Sequence, residues 1–276
     1  MTMPTISCEF YPPRDSASRA RLIDNVANKL NDTIQPQFFS VTYGAGGSTK
    51  DGTRQTVRCL QESGATAVPH LSMGQDDAQD ILHMLAEYAK AGITQIVTLR
   101  GDQPSGMAAR HFHNNAETLV RLIREHTGDR FHLTVAAYPE VHPDSHSAQE
   151  DLDFFQRKVE AGANSAITQY FYNPDAYAYF LDHCAKRKID IPIYPGIMPI
   201  TNIESLERFS AKAGAEIPRW LLNNLIDQPD ETALLDYGVE VVVRLCERLI
   251  SLGAPGLHFY TLNRWGATVR IARALH

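Results

Sequence analysis

Short apolar runs alternate with longer amphipathic stretches along the whole chain. Eight runs have the composition of β-strands: TISCEFY, PQFFSVTYG, TAVPHLS, ITQIVTLRG, FHLTVAAYP, NSAITQYFY, IPIYPGI and GLHFYTLN. Between them, segments such as residues 17–30 and 76–91 carry apolar residues near every third or fourth place, which predicts helices. Glycine follows several of these helices, in AKAGI, VEAGA, AKAGA and ISLGA, where it can adopt the left-handed conformation that closes a last turn. This order predicts repeated βαβ units around a parallel sheet.

The number and spacing of the strands predict a (β/α)8 TIM barrel. The strands are expected to end near Glu9, Thr42, His70, Arg100, Tyr138, Gln169, Gly196 and Tyr260. The last interval is too long for one βα unit, so we expect extra helices before the last strand, within residues 218–252. An open doubly wound sheet is the alternative, but no dinucleotide fingerprint follows the first strand.

Polar side chains collect where the predicted strands give way to loops. In a barrel these strand ends share one rim, which is where barrel active sites lie. The rim candidates are Glu9, Thr42, His70, Arg100, Asp102, Tyr138, Glu140, His142, Gln169 and Tyr260.

Composition narrows the class of protein. The chain has 276 residues, 43% hydrophobic content and a formal net charge of −6, which argues against a basic nucleic-acid-binding surface. No apolar run reaches the length of a membrane span, and the four cysteines form no CxxC pair. We therefore expect one catalytic domain over residues 1–276, in the cytoplasm, with no nucleic-acid or membrane partner.

The stretch YGAGGSTKDGT follows the second predicted strand. It matches neither the P-loop pattern nor the GxGxxG fingerprint, because Thr49 stands where that fingerprint needs its third glycine. Two readings stay open: a loop whose glycines let the backbone approach a ligand, or a mobile loop in which Ser48 or Thr49 caps the next helix.

Four rim residues have both a chemical and a structural interpretation. Glu9 is a candidate general acid, or else a partner in a salt bridge to Arg14 or another rim cation. Arg100 and Asp102 could bind phosphate and orient a ligand amide, or form a pair that steadies their loop. Gln169, followed by three aromatic residues, suits a flat heterocycle, although the aromatics could equally pack the barrel.

Other patterns exclude reaction classes. His142 and His146 stand four residues apart, but no third ligand has suitable spacing, so no metal site is expected. A GxSxG nucleophile elbow is also missing. Asp151 and Lys158, on a predicted helix, would ordinarily be solvated. The residues alone thus favour a barrel enzyme for a planar, partly anionic small molecule.

Long motifs add a resemblance to a known family. The segments CEFYPPR, SVTYGAGG, PHLS, TLRGDQP, VAAYPEVHPDSHS, KVEAGANSAITQYFY, PGIMPI and HFYTLNR stand in this order from Ser7 to Arg264. Together they resemble methylenetetrahydrofolate reductase, in the form of the bacterial catalytic unit. The resemblance implies an FAD-bearing (β/α)8 barrel in which NADH or NADPH and then methylenetetrahydrofolate use one pocket in a ping-pong reaction. A homo-oligomer is also expected.

The resemblance also implies roles for individual residues. Glu9 matches the general acid, and Asp102 matches a carboxylate beside the flavin that also holds the pterin. Gln169 matches the amide that reads the pterin, and Tyr260 and Arg264 are the further expected substrate contacts. The expected FAD contacts are Thr42, His70, Arg100, Gly101, Asp102, Ala136, Tyr138, His142, Asp151 and Lys158.

One position departs from the family pattern. Ile203 stands where some relatives carry an aromatic residue that stacks on the substrates, so the choice between NADH and NADPH stays open. The alternatives to the reductase are another FAD-dependent barrel oxidoreductase and a non-catalytic folate- or flavin-binding protein. A metal-dependent barrel hydrolase is a third.

Overall fold

The computed structural model describes residues 4–43, 50–74, 77–100 and 115–275. Within those ranges, nine parallel strands form one sheet in the order β7-β6-β5-β4-β3-β2-β1-β9-β8. The strands are β1 (Thr5–Phe10), β2 (Phe39–Val41), β3 (Ala67–Ser72), β4 (Gln95–Leu99), β5 (His132–Ala137), β6 (Ser165–Thr168), β7 (Ile193–Tyr194), β8 (Gly196–Ile197) and β9 (Gly256–Tyr260).

The sheet closes on itself through β7 and β8. These two strands stand at opposite ends of the sheet order, yet Pro195 alone separates them in the chain. β7 pairs with β6, and β8 pairs with β9. The prediction of a barrel is therefore confirmed, and its seventh strand is divided in two. Pro195 explains the division, because proline has no N–H to donate to a ladder and its carbonyl instead accepts from the amide of His258 at 3.0 Å.

Helices surround the strands, as the amphipathic segments predict. The α-helices of the described ranges are α1 (Ser16–Leu22), α2 (Asn28–Ile34), α3 (Lys50–Glu62), α4 (Ala78–Lys90), α5 (Ala116–Thr127), α6 (Ala148–Glu160), α7 (Pro174–Lys186), α8 (Ile203–Ala213), α9 (Arg219–Ile226), α10 (Glu231–Ser251) and α11 (Gly266–Ala274). A π-helical turn (Ile23–Ala27) joins α1 to α2. The extra helices predicted within residues 218–252 are confirmed as α9 and α10, and α8 is the helix that follows the seventh strand. The glycines predicted to close helices all have positive φ: Gly92, Gly162, Gly214 and Gly253.

The strands place alternate side chains on two faces. In β1, Ile6, Cys8 and Phe10 belong to the large core that packs against the helices. Val68, Val97 and Ile167 form a separate small core with Phe38, Tyr194 and Tyr260, which fills the barrel interior. Since successive side chains of a strand point to opposite faces, residues that share the parity of this inner core face inward. The inward positions therefore include Glu9, His70, Ala136 and His258, and beyond its strand Gln169 continues the same parity.

Candidate active site

Glu9 lies inside the barrel between two histidines. Its side chain is 12% exposed, and its Oε2 is 3.3 Å from Nε2 of His70 and 3.6 Å from Nε2 of His258. His70 comes from β3 and His258 from β9, so three strands bring these groups together. The Glu9 carboxylate thus faces two imidazoles. It does not face Arg14, the salt-bridge partner that the sequence offered as the alternative to catalysis.

His70 is a neutral imidazole near neutral pH. Burial lowers its pKa to about 4, against the opposing effect of the Glu9 carboxylate, and His258 lowers it further. Neither ring nitrogen of His70 has a hydrogen-bond partner among the described residues, although the side chain is only 6% exposed. The Nε2 atom faces the Glu9 carboxylate at 3.3 Å, and since buried polar atoms are almost always paired, Nδ1 is the nitrogen suited to a ligand.

The imidazole of His258 is held in place on the side that faces away from Glu9. Its Nδ1 lies 2.7 Å from the hydroxyl of Ser7, and its ring meets that of Tyr260 edge to face. Ser7 and His258 do not appear among the sequence candidates. The sequence does contain a signal for them. Ser7 precedes Glu9 by two positions, and His258 precedes Tyr260 by two positions, so the side chains of each pair lie on the same face of a strand.

Tyr260 spans the divided seventh strand. Its hydroxyl donates to the carbonyl of Thr168 at 2.8 Å, directly before Gln169. Its burial, with Glu9 and Tyr138 as secondary causes, raises the pKa of its phenol well above the usual value. Tyr138 and Gln169 line one small cavity, so the segments that follow β5 and β6 meet there.

A cationic corner lies at the end of β5. Lys158, on α6, donates its ammonium to the carbonyl of Ala136 at 2.5 Å, and burial lowers its pKa to about 8. The nearby Asp151 raises that pKa, and Arg100 lowers it. The expectation of solvated side chains is therefore wrong for Lys158 and Asp151, both of which are partly buried. Burial also raises the pKa of Asp151.

Arg100 and His142 complete this corner. Arg100 forms an ion pair of 2.5 Å with Asp144, so its described partner comes from the loop after β5. His142 packs edge to face on Tyr138, and its Nδ1 accepts from the amide of Asp144 at 3.0 Å. Burial, together with Arg100, lowers the pKa of His142. The corner therefore holds Arg100, Lys158 and the imidazole of His142 where an anionic ligand could bind, with Asp144 and Asp151 beside the two cations.

The structure shows fewer contacts, or none, for the remaining predicted site residues. Thr42 directly follows β2, and its carbonyl accepts from the hydroxyl of Thr53 at 2.8 Å. Arg264 is exposed in the loop after β9. Gly101, Asp102 and the glycine-rich stretch at residues 44–49 lie outside the described residues.

No group of three potential metal ligands occurs in the described part of the chain. Nor does any helix there have the length and apolarity to cross a bilayer.

These features define a class of protein: a parallel α/β barrel with an acid–imidazole cluster and a cationic corner at the carboxyl ends of its strands. The family model described as methylenetetrahydrofolate reductase matches residues 2–276. The chain belongs to the methylenetetrahydrofolate reductase family.

Curated relatives agree with this assignment. The chain is 37% identical to the 5,10-methylenetetrahydrofolate reductase of Escherichia coli over 98% of its own length and 90% of that protein. The corresponding figures for the Pectobacterium carotovorum reductase are 36%, 98% and 89%. It is 34% identical to methylenetetrahydrofolate reductase (NADH) 1 of Arabidopsis thaliana over 93% of the chain and 46% of that protein.

Solved structures share the fold. An uncharacterised protein from Clostridium thermocellum, which binds two copies of 5-methyl-5,6,7,8-tetrahydrofolic acid, superposes with a TM-score of 0.73 at 18% identity. That similarity covers 99% of this chain and 94% of the other. A dihydropteroate synthase from Coxiella burnetii superposes with a TM-score of 0.53 at 12% identity, over 100% and 93% of the two chains.

Proposed function

We propose that this chain reduces 5,10-methylenetetrahydrofolate to 5-methyltetrahydrofolate with NADH or NADPH, using bound FAD. The observation that carries the proposal is the position of Glu9. This carboxyl group lies inside the barrel, 3.3 Å from a neutral imidazole, in a chain of the reductase family. The relatives from Escherichia coli and Pectobacterium carotovorum, both named for this activity, support the choice of substrate.

The described residues fit FAD. Arg100 and Lys158 provide two cations for a pyrophosphate, and the hydrogen bond from Lys158 to Ala136 holds one of them at the end of β5. The Nδ1 atom of His70, buried and without a hydrogen-bond partner among the described residues, is available to a polar ring edge. We propose Thr42, Tyr138, His142 and Asp151 as further contacts, with Gly101 and Asp102 from outside the described residues. When bound, FAD supplies the two-electron relay between the nicotinamide and the folate.

Glu9 supplies the proton for the folate step. Its carboxylic acid donates a proton to the substrate nitrogen N10, and the bond between N10 and the bridging methylene carbon breaks. The electron pair of the neighbouring N5 then forms an iminium with that carbon, which is where the hydride arrives. His258 returns a proton to Glu9 in this proposal, which its distance of 3.6 Å from the carboxylate and its bond to Ser7 support. Gln169 and Asp102 hold the pterin in this proposal, and Tyr260 and Arg264 complete the substrate contacts.

The substitution Glu9→Gln tests this assignment. The two half-reactions are followed separately by the flavin absorbance, first with NAD(P)H and then with methylenetetrahydrofolate. We expect the folate half-reaction to slow by about 100-fold or more, since an amide cannot donate the proton. The NAD(P)H half-reaction should stay near its original rate, because it needs no acid.

A matched control is Glu87→Gln, which changes a partly buried glutamate on α4 that is ion-paired to Arg54. It should leave both half-reactions intact. Equal loss of both halves in Glu9→Gln would contradict the role given to Glu9. A chain that oxidises NAD(P)H but ignores methylenetetrahydrofolate would instead be a different FAD-dependent barrel oxidoreductase, and one that binds these ligands without turnover would be a binding protein.

A cytoplasmic homo-oligomer is part of the proposal. All four cysteines are free thiols, which is common in a reducing compartment. Sedimentation of the purified protein tests the assembly state.

A further inference from the structure

The loop after β9 is bonded to the chain on both sides of Phe10. The hydroxyl of Thr261 donates to the carbonyl of Glu9 at 2.6 Å. The side-chain amide of Asn263 donates to the carbonyl of Tyr11 at 2.9 Å and accepts from the amide of Tyr11 at 2.8 Å. Three hydrogen bonds therefore join this loop to the segment that carries Glu9.

The two residues also act on each other. The backbone amide of Asn263 donates to the hydroxyl of Thr261 at 3.2 Å, so Thr261 accepts from one residue while it donates to Glu9. A hydroxyl that both accepts and donates is fixed in one orientation, and each bond polarises the next. The result is a continuous chain of hydrogen bonds from Asn263 through Thr261 to Glu9.

The backbone of this loop is unusual where these bonds form. Leu262 and Asn263 both have positive φ, of 52° and 57°. Asparagine tolerates this left-handed region, but leucine is uncommon there. Non-glycine residues keep such conformations only where the surrounding structure fixes them, and they cluster at functional sites. Here the turn is what brings the Asn263 side chain back over Tyr11.

We propose that Thr261 and Asn263 are positioning residues for Glu9, an inference that rests on the proposed function. They act through the backbone, because they bond to the main chain of Glu9 and Tyr11 rather than to the Glu9 carboxylate. A general acid must lie within hydrogen-bond distance of the atom it protonates, and a misplacement of about 1 Å can slow a reaction about 100-fold. Loosening this loop therefore affects the folate step and spares the NAD(P)H step.

Two pairs of variants test the proposal in the FAD-loaded enzyme. Asn263→Gly removes the amide and keeps a residue that adopts positive φ without strain. Its matched control is Asn164→Gly, which removes an asparagine bonded to the backbone amide of Leu133 at 2.8 Å, at the opposite end of the barrel. Thr261→Val removes the donor to Glu9 at nearly constant volume, and Thr261→Ser restores it.

We expect Asn263→Gly and Thr261→Val to slow the folate half-reaction by about 10- to 100-fold. The NAD(P)H half-reaction and the affinity for 5-methyltetrahydrofolate should be unchanged in both. Thr261→Ser and Asn164→Gly should behave as the unaltered enzyme. Hydrogen exchange at the amide of Tyr11 should be faster in Asn263→Gly, which reports the loosened loop independently of activity.

Other results overturn the positioning role. Equal slowing of both half-reactions, no slowing of either, or the same selective loss in Asn164→Gly would each contradict it. The unaltered enzyme separates this failure from that of the proposed function. If it fails to turn over methylenetetrahydrofolate, the proposed function is wrong and the positioning role falls with it. If it turns the folate over and the Asn263 variant matches it, only the positioning role is wrong.

Discussion

Lys158 is a buried ammonium whose described hydrogen bond is to a carbonyl, that of Ala136. Burial lowers its pKa to about 8, although Asp151 opposes this effect. A bound phosphate would favour the charged form, so flavin binding should be linked to proton uptake by this residue. We therefore expect FAD to bind less tightly as the pH rises through about 8, because more of the lysine is then neutral.

Lys158→Met tests this linkage. The variant should bind FAD about 10-fold more weakly or worse near neutral pH, since hydrogen bonds to charged groups are among the stronger ones. Its affinity should also lose the pH dependence near pH 8. The measurement is a fluorescence titration of the apoprotein with FAD across that range. Lys90→Met, on the exposed end of α4, is the control, and an unchanged pH dependence in Lys158→Met would contradict the assignment.

Candidate site residues are predictable from the sequence where a strand fixes the direction of the side chain. Glu9 and His70 were found because each is a polar residue at the end of an apolar run, and Gln169 follows such a run. Ser7 and His258 lie deeper in the same strands, and only the strand pairing shows that His258 reaches Glu9. Lys158 looks solvated in the sequence because a helical pattern does not reveal that its ammonium reaches the end of β5.

The divided seventh strand depends on one glycine. A Cβ atom at Gly196 would lie 2.2 Å from the carbonyl oxygen of Thr168 and 2.5 Å from the ring of Tyr260. Any side chain there would displace the ring that bonds Thr168 across the gap. The sequence run IPIYPGI indicated one strand, because its composition shows neither the exchange of partners at Pro195 nor this close contact.

Gly196→Ala should destabilise the protein by about 3 kcal/mol, as overpacking in a rigid interior does. The measurement is the free energy of unfolding in urea. Gly266→Ala is the matched control, since a Cβ atom there meets nothing within 4 Å and alanine favours the helix that begins at this residue. An equal effect of the two substitutions would show that close packing at Gly196 does not support the closure.

The whole molecule should lose stability in mild acid because of the barrel interior. His70 has a folded pKa of about 4, below the usual 6.5. Between pH 6.5 and about 4, His70 binds more protons in the unfolded chain than in the folded one. The free energy of unfolding therefore falls as the pH falls through this range. The expected loss is on the order of 3 kcal/mol. The groups that face His70 are Glu9 and His258, and they change the size of this loss: Glu9 raises the pKa of His70, whereas His258 lowers it.

His70→Gln should flatten this dependence, because the glutamine side chain does not take up a proton. The free energy of unfolding is measured at intervals from about pH 6.5 to 4 for both proteins. His83→Gln, which changes an exposed histidine of α4, should keep the slope of the unaltered protein. A slope that persists in His70→Gln would assign the acid sensitivity to other groups.

At the same scale, the barrel itself was the most predictable feature. The alternation of strand and helix signals, with glycine after several helices, predicts the eight units and the extra helices before the last strand. A single sequence shows this local periodicity directly, whereas it does not show which distant strands are in contact.

The bonds between Asn263 and Tyr11 join residues 252 positions apart in the chain. Synthesis of the chain passes Glu9 252 residues before it reaches Thr261. In the proposed arrangement, Glu9 therefore leaves the ribosome well before the residues that position its backbone. A nascent chain can bury its early strands, but we expect Glu9 to be positioned only after β9 and the loop that follows it have left the ribosome and docked on β1.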